Sequence, residues 1–121
     1  MATCLLRKEI PFTVIFKDGT FILLGVEEYF AYKDGTRTNE RAGFMYTVVD
    51  PVTFDKLRVK VPNQEYPVMQ PADLAELREN GEKIIVEFVN GVDTPYNRKV
   101  GNSWTVEDSF SAEDVLLVEE N

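Results

Sequence analysis

A small, mainly β domain, an antiparallel Greek-key barrel of five or six strands with one short helix, is predicted by three features of this sequence. Short runs rich in β-branched and aromatic residues recur along it, Asp-Gly and Asn-Gly pairs stand between them, and one stretch alone carries helical start and stop signals. At 121 residues, with 44% hydrophobic and 12% aromatic content, the chain has the material for one core. A single domain spanning 1–121 is expected.

Taken in order, Pro11-Phe12-Thr13-Val14-Ile15-Phe16 reads as a first strand, and Asp18-Gly19 as a tight turn into Thr20-Phe21-Ile22-Leu23-Leu24. Asp-Gly supplies the positive φ angles that a two-residue hairpin demands. The second run continues to Tyr32, long for one strand, and Gly25 marks where a bulge or bend would let it curl. Lys-Asp-Gly-Thr recurs at residues 33–36 with unmatched flanks, and the polar residues up to Gly43 read as a long, mobile loop or finger. A third strand follows from Phe44 and is stopped by Asp50-Pro51.

Leu57-Arg58-Val59-Lys60-Val61 is the clearest alternation in the chain, with three apolar residues predicted inward and two cations outward. Residues 71–81 predict the helix: Pro71 opens it, Leu74, Leu77 and Arg78 recur at helical spacing, and Asn80-Gly81 offers a left-handed stop. A fourth strand at 84–89 leads to Asn90-Gly91, read as another tight hairpin. The irregular stretch 92–104 holds a weak strand at 96–100, and Val115-Leu116-Leu117-Val118 predicts a closing strand. A helix between the third and fourth barrel strands is the arrangement of the oligonucleotide-binding (OB) fold. Counting residues 13–16 as a strand disturbs that order, so an SH3-like or other small antiparallel barrel stays open.

Composition removes several classes of chemistry. With no histidine and one cysteine, Cys4, the chain lacks the usual zinc ligands, the imidazole-based triads and any internal disulfide. Glu27-Glu28 is the most tempting carboxylate pair, but neighbours on a strand face opposite ways and cannot share a substrate. Asp50, Asp55 and Asp93 lack the spacing of a calcium loop. No glycine motif for cradling phosphates occurs. The expectation is a protein without catalytic activity, metal or cofactor. No apolar run approaches the roughly 20 residues of a membrane span, and the short apolar stretch before Arg7-Lys8 does not read as a secretory signal. A cytoplasmic location without membrane partners is expected.

Thirteen basic against 21 acidic residues give a net charge of −8, which disfavours non-specific adhesion to duplex DNA or anionic lipid. The acidity concentrates in the C-terminal segment 105–121, where Glu107, Asp108, Glu113, Asp114, Glu119 and Glu120 meet no cation. Residues 1–104 are nearly neutral. Within them lie the cations and aromatics that single-stranded nucleic acid uses, cations to track phosphates and rings to stack on bases. The candidate binding residues are Lys33, Arg37, Arg41, Tyr46, Arg58, Lys60, Tyr96, Arg98, Lys99 and Trp104. Their use depends on convergence on one face. The ordinary alternative is that Arg58 and Lys60 are a solvated strand face, Tyr46 is core and Trp104 fills the barrel.

The stretch from Thr20 to Tyr29, the strand Gly43-Phe44-Met45-Tyr46-Thr47-Val48-Val49, Leu57-Arg58-Val59-Lys60-Val61 and Asp114-Val115-Leu116-Leu117 together resemble small proteins of Gram-positive conjugative elements and phages. That family was long a domain of unknown function, and some members are similar to single-stranded-DNA-binding or helicase-accessory factors with a barrel fold. The resemblance covers most of residues 12–118 and rests on strand patterns. It implies a non-enzymatic accessory protein that binds single-stranded DNA weakly or assists a helicase or relaxase. The alternative is an acidic protein-interaction module that does not bind nucleic acid directly.

Overall fold

The computed structural model describes residues 8–16, 19–34 and 36–118, the side chains of Tyr32 and Lys33 excepted. The protein is mainly β. Its principal sheet is antiparallel except at one seam and runs β1-β6-β9-β4-β3-β2-β5-β10. The chain order is β1 Ile10–Pro11, α1 Phe12–Ile15, β2 Thr20–Lys33, β3 Thr36–Val49, β4 Lys56–Pro62, α2 Pro71–Glu79, β5 Ile85–Val89, β6 Val92–Asp93, β7 Tyr96–Val100, β8 Ser103–Glu107, β9 Phe110–Ser111 and β10 Asp114–Leu117. β7 and β8 form a ribbon of their own.

The sheet curls into a half-barrel. β2 pairs with β5 through Thr20, Phe21 and Ile22, and with β3 from Ile22 onward, shifting register between Leu23 and Gly25 as the sequence predicts. β9 lies parallel to β4, while β10, two residues further on, pairs with β5. Hydrogen bonds from the Ala112 amide to the Lys60 carbonyl (2.9 Å) and from the Glu113 amide to the Val89 carbonyl (2.9 Å) tie this short segment to both sides of the curl. The concave side holds the core, with Phe21, Leu23, Tyr46, Val48, Val59, Val61 and Val86 almost wholly withdrawn from water. On β4, Leu57, Val59 and Val61 are buried while Arg58 and Lys60 are exposed.

α2 follows its predicted course. Pro71 opens it, and the Gly81 amide donates to the Arg78 carbonyl (3.0 Å) while the Glu82 amide donates to the Leu77 carbonyl (3.0 Å). These two bonds form the Schellman closure, with Gly81 at φ +80°. Leu74 is the residue the helix commits to the core.

Three expectations about the connections fail. Residues 12–15, whose composition favours a strand, form one helical turn in which the Phe16 amide donates to the Phe12 carbonyl (2.7 Å). The turn swings the Phe12 ring edge-on to Phe21 and Phe110 and the Phe16 ring edge-on to Phe21 and tilted against Phe110, and Phe12 also meets Phe88. Packing in an aromatic cluster outweighs local β preference here. The expected hairpin at Asp18-Gly19 therefore has no first strand to join; Asp18 itself lies outside the described residues. Asn90-Gly91 is no hairpin either: β5 and β6 have different partners, and the turn hands the chain from one end of the sheet to the other. A tight hairpin instead joins β2 to β3 after Lys33, where a mobile loop was expected; Gly35 lies outside the described residues. Lys33 pairs with Thr36, Asp34 has φ +52°, and β2 and β3 run on as one long ribbon.

Candidate nucleic-acid interface

The outer face of β2, β3 and β4 is set by the register: Glu27 stands beside Met45 and Met45 beside Lys60, with Thr47 beside Arg58 and Tyr29 beside Gly43 in flanking rows. Because inward neighbours fill the core, these side chains must point to solvent. The register slips between Tyr29 and Phe30 and again between Phe30 and Tyr32, turning this end of the ribbon so that Arg37 comes over the Phe30 ring, 4.4 Å from its centroid. The Lys60 ammonium sits 5.9 Å from the centroid of Tyr29.

The result is an open concavity of about 450 Å³ whose walls include Tyr29, Phe30, Arg37, Met45, Arg58 and Lys60. Gly43 is required beneath it. A methyl group there would run into the Val61 carbonyl oxygen and lie 3.0 Å from Tyr29 Cε1, so only glycine lets the tyrosine ring lie across β3. Burial of that ring raises the Tyr29 hydroxyl above the ordinary tyrosine pKa, keeping it neutral.

Three of the ten candidate residues, Arg37, Arg58 and Lys60, thus meet in one place. Arg58 is paired with Glu27, but both are well exposed, and such a pair is weak in water. Arg41 faces elsewhere: it lies over Phe44, approaches Glu28 at 3.5 Å and donates to the Glu65 carbonyl at 3.0 Å. Tyr46 leaves the candidate set. It is buried in the core, donates to Gln64 Oε1 (2.6 Å) and accepts from the Val68 amide (2.9 Å), so its ring presents no face to a base. The side chain of Lys33 lies outside the described residues. Sequence reasoning missed Tyr29, Phe30 and Met45: Met45 enters as the ladder partner of Lys60, and the bulged β2–β3 pairing brings Phe30 beneath Arg37.

Tyr96, Arg98, Lys99 and Trp104 form a second group on the β7–β8 arm. Every residue from 96 to 106 is exposed, Trp104 at 66%, so the indole does not fill a barrel. Lys99 pairs with Trp104 across the ribbon, its ammonium 6.0 Å from the ring centroid. Gly101, at φ +62°, opens a two-residue turn with Asn102, a hairpin signal that could have been read from the sequence. The arm is anchored where it leaves the sheet: the Thr94 amide donates to the Ser109 carbonyl (2.9 Å), and the Ser109 amide donates to Asp93 Oδ1 (3.0 Å). Asp93 is 5% exposed, and burial, then Asp108 alongside, push its pKa up to about 6.

The other aspartates considered as metal ligands serve a turn. Buried Asp50 accepts from the Val52 amide (3.0 Å) and the Thr53 hydroxyl (3.2 Å), and that hydroxyl also lies 3.0 Å from Asp55 Oδ2. This network holds Phe54 in the left-handed region at φ +65°, with its ring 76% exposed. Among the described residues no three acidic or cysteine side chains gather as a metal-ligand set, and no helix is long and apolar enough to cross a membrane. Comparison with family models, curated proteins and solved structures finds no match to this chain.

Proposed function

We propose that this protein is a non-enzymatic accessory factor of a mobile element or phage that binds single-stranded nucleic acid weakly on the outer face of β2–β4, in the service of a helicase or relaxase. The observation that carries the reading is the meeting of Arg37, Arg58 and Lys60 with Tyr29, Phe30 and Met45 around one open concavity. Cations spaced among ring faces are what a flexible strand needs, phosphates going to the former and bases to the latter. The connectivity supports an OB-like barrel: β2 neighbours β3 and β5, α2 stands between β4 and β5, and the β9–β10 segment runs parallel to β4 before joining β5. In that fold the second and third strands with their flanking loops form the binding face, and this reading assigns β3, β4 and the connection from β2 to β3 to those roles.

Titration of a labelled oligo-dT by fluorescence anisotropy at two salt concentrations tests this. Micromolar or weaker binding, preferring single strand to duplex, is expected, with a logarithmic salt slope of about 2, since roughly three phosphates are neutralised. Arg58→Ala with Lys60→Ala abolishes it without unfolding the domain. Glu27→Gln strengthens it, by releasing Arg58 and removing a negative charge from the face. Absence of binding at low salt by a correctly folded protein would reject the reading. The second reading, a protein-interaction module, draws its support from the exposed apolar side chains of the arm.

A further inference from the structure

We propose that the β7–β8 arm docks into an acidic concavity on a second copy of this chain, and that two copies exchange arms reciprocally. The arm offers Tyr96, Val100, Trp104 and Val106 to solvent. It is a two-stranded ribbon with no third strand, an arrangement of marginal stability in water. By the ladder register Trp104 and Val106 share one face with Lys99, while Tyr96 and Val100 lie on the other, and the paired large apolar side chains of the first face mark a surface that is covered in use.

Charge identifies the cover. From Tyr96 to Glu107 the arm contains Arg98, Lys99 and one carboxylate at its base, Glu107, so it carries +1 on a chain of net −8, and everything else sums to −9. The receiving surface is a concavity of about 640 Å³ lined by Glu9, Glu113 and Asp114 together with the amides Asn63, Gln64 and Asn90, and among the described residues by no cation. Its volume lies within the range of pockets that enclose a small molecule or a large side chain. Glu113 is already oriented, accepting from Asn90 Nδ2 at 2.8 Å. An indole N–H and a neighbouring ammonium suit carboxylate and amide oxygens, whereas phosphates are repelled from this surface.

Position makes the exchange reciprocal. Val92 and Ser111 also line the concavity, and the arm leaves the sheet at Asp93 and returns at Ser109, yet no arm residue enters the concavity of its own chain. An arm rooted beside one concavity and reaching outward meets its counterpart on a copy related by a two-fold axis, giving a closed pair with the same contact made twice.

Sedimentation velocity without nucleic acid, at physiological ionic strength, tests the proposal. There the screening length of about 8 Å suppresses repulsion between the two acidic bodies and leaves close ion pairs largely intact. The wild-type chain is expected to dimerise reversibly. An arm variant (Arg98→Glu, Lys99→Glu) and a concavity variant (Glu113→Lys, Asp114→Lys) should each be monomeric alone, and an equimolar mixture should form a heterodimer, because both contacts regain complementary charge. Trp104→Ala should weaken the dimer at least tenfold, and Arg58→Ala with Lys60→Ala should leave it unchanged. A wild-type monomer at all concentrations, or no rescue on mixing variants whose circular dichroism is native, overturns the proposal. Loss of oligo-dT binding by the arm variant of a monomeric protein would also overturn it and make the arm a nucleic-acid contact.

Discussion

β4 and β8 are neighbours in kind and opposites in environment. Both are short strands in which apolar residues alternate with polar or charged ones, but in β4 every second side chain is buried whereas in β8 none is. The difference teaches that alternation creates a strand with two unlike faces and leaves open whether anything will cover the apolar one. In the body, the curled sheet covers its own inner face. On the arm, Trp104 and Val106 have nothing behind them, and the ribbon is held by its turn, its ladder and the bonds at its root.

The comparison breaks most visibly under truncation. Phe21→Ala in the core should cost about 3–5 kcal/mol, whereas Trp104→Ala on the arm should change stability by less than about 0.5 kcal/mol, both read from urea unfolding of dilute protein. Equal costs would mean that the arm packs on the body. Gly43→Ala should destabilise by about 2 kcal/mol, since backbone rather than a flexible side chain must give way, and should displace the Tyr29 ring from the binding face.

The joint between the two regions is sensitive to pH. Asp93 has its pKa raised from 3.8 to about 6 in the folded protein, so the native state holds the proton more tightly than the unfolded chain. Stability from this group is fully present below pH 4 and is lost as pH rises toward 6. Asp93→Asn should therefore stabilise the protein by about 1–2 kcal/mol at pH 7.5 and have no such benefit at pH 3.5, as thermal melts at the two values will show. Phe54→Gly should give the smallest effect, a gain of roughly 0.5–1 kcal/mol from relief of the left-handed backbone, measurable as a small rise in Tm.

The elements most legible in the sequence were those whose signal is local. The Leu57 to Val61 alternation, the Pro71 and Gly81 ends of α2 and the bend at Gly25 each follow from a few adjacent residues. Residues 12–15 were misread because their conformation is decided by three rings elsewhere in the chain, Phe21, Phe88 and Phe110. The turn from β2 to β3 was misread because the polar residues from Thr36 onward resemble a loop, although they continue a strand whose partner is β2. Outward placement of Arg58 and Lys60 could be read directly; their company could not. Phe30 and Arg37 come together through the bulged β2–β3 pairing, which no single-strand pattern encodes, and burial of Tyr46 depends on Gln64 and Val68 reaching its hydroxyl.

The segment from Phe110 to Leu117 joins β4 on one side and β5 on the other, within eight residues. During synthesis the chain makes β2, β3 and β4 early, and they can pair while the rest is still to come. The seam between the two lips waits for the segment that touches both. Closing it brings together residues about 50 positions apart at the β4 contact, the kind of non-local pairing that slows folding. A nascent chain halted near residue 105 would present an open sheet with two unpaired lips, the state most prone to pair with a neighbour.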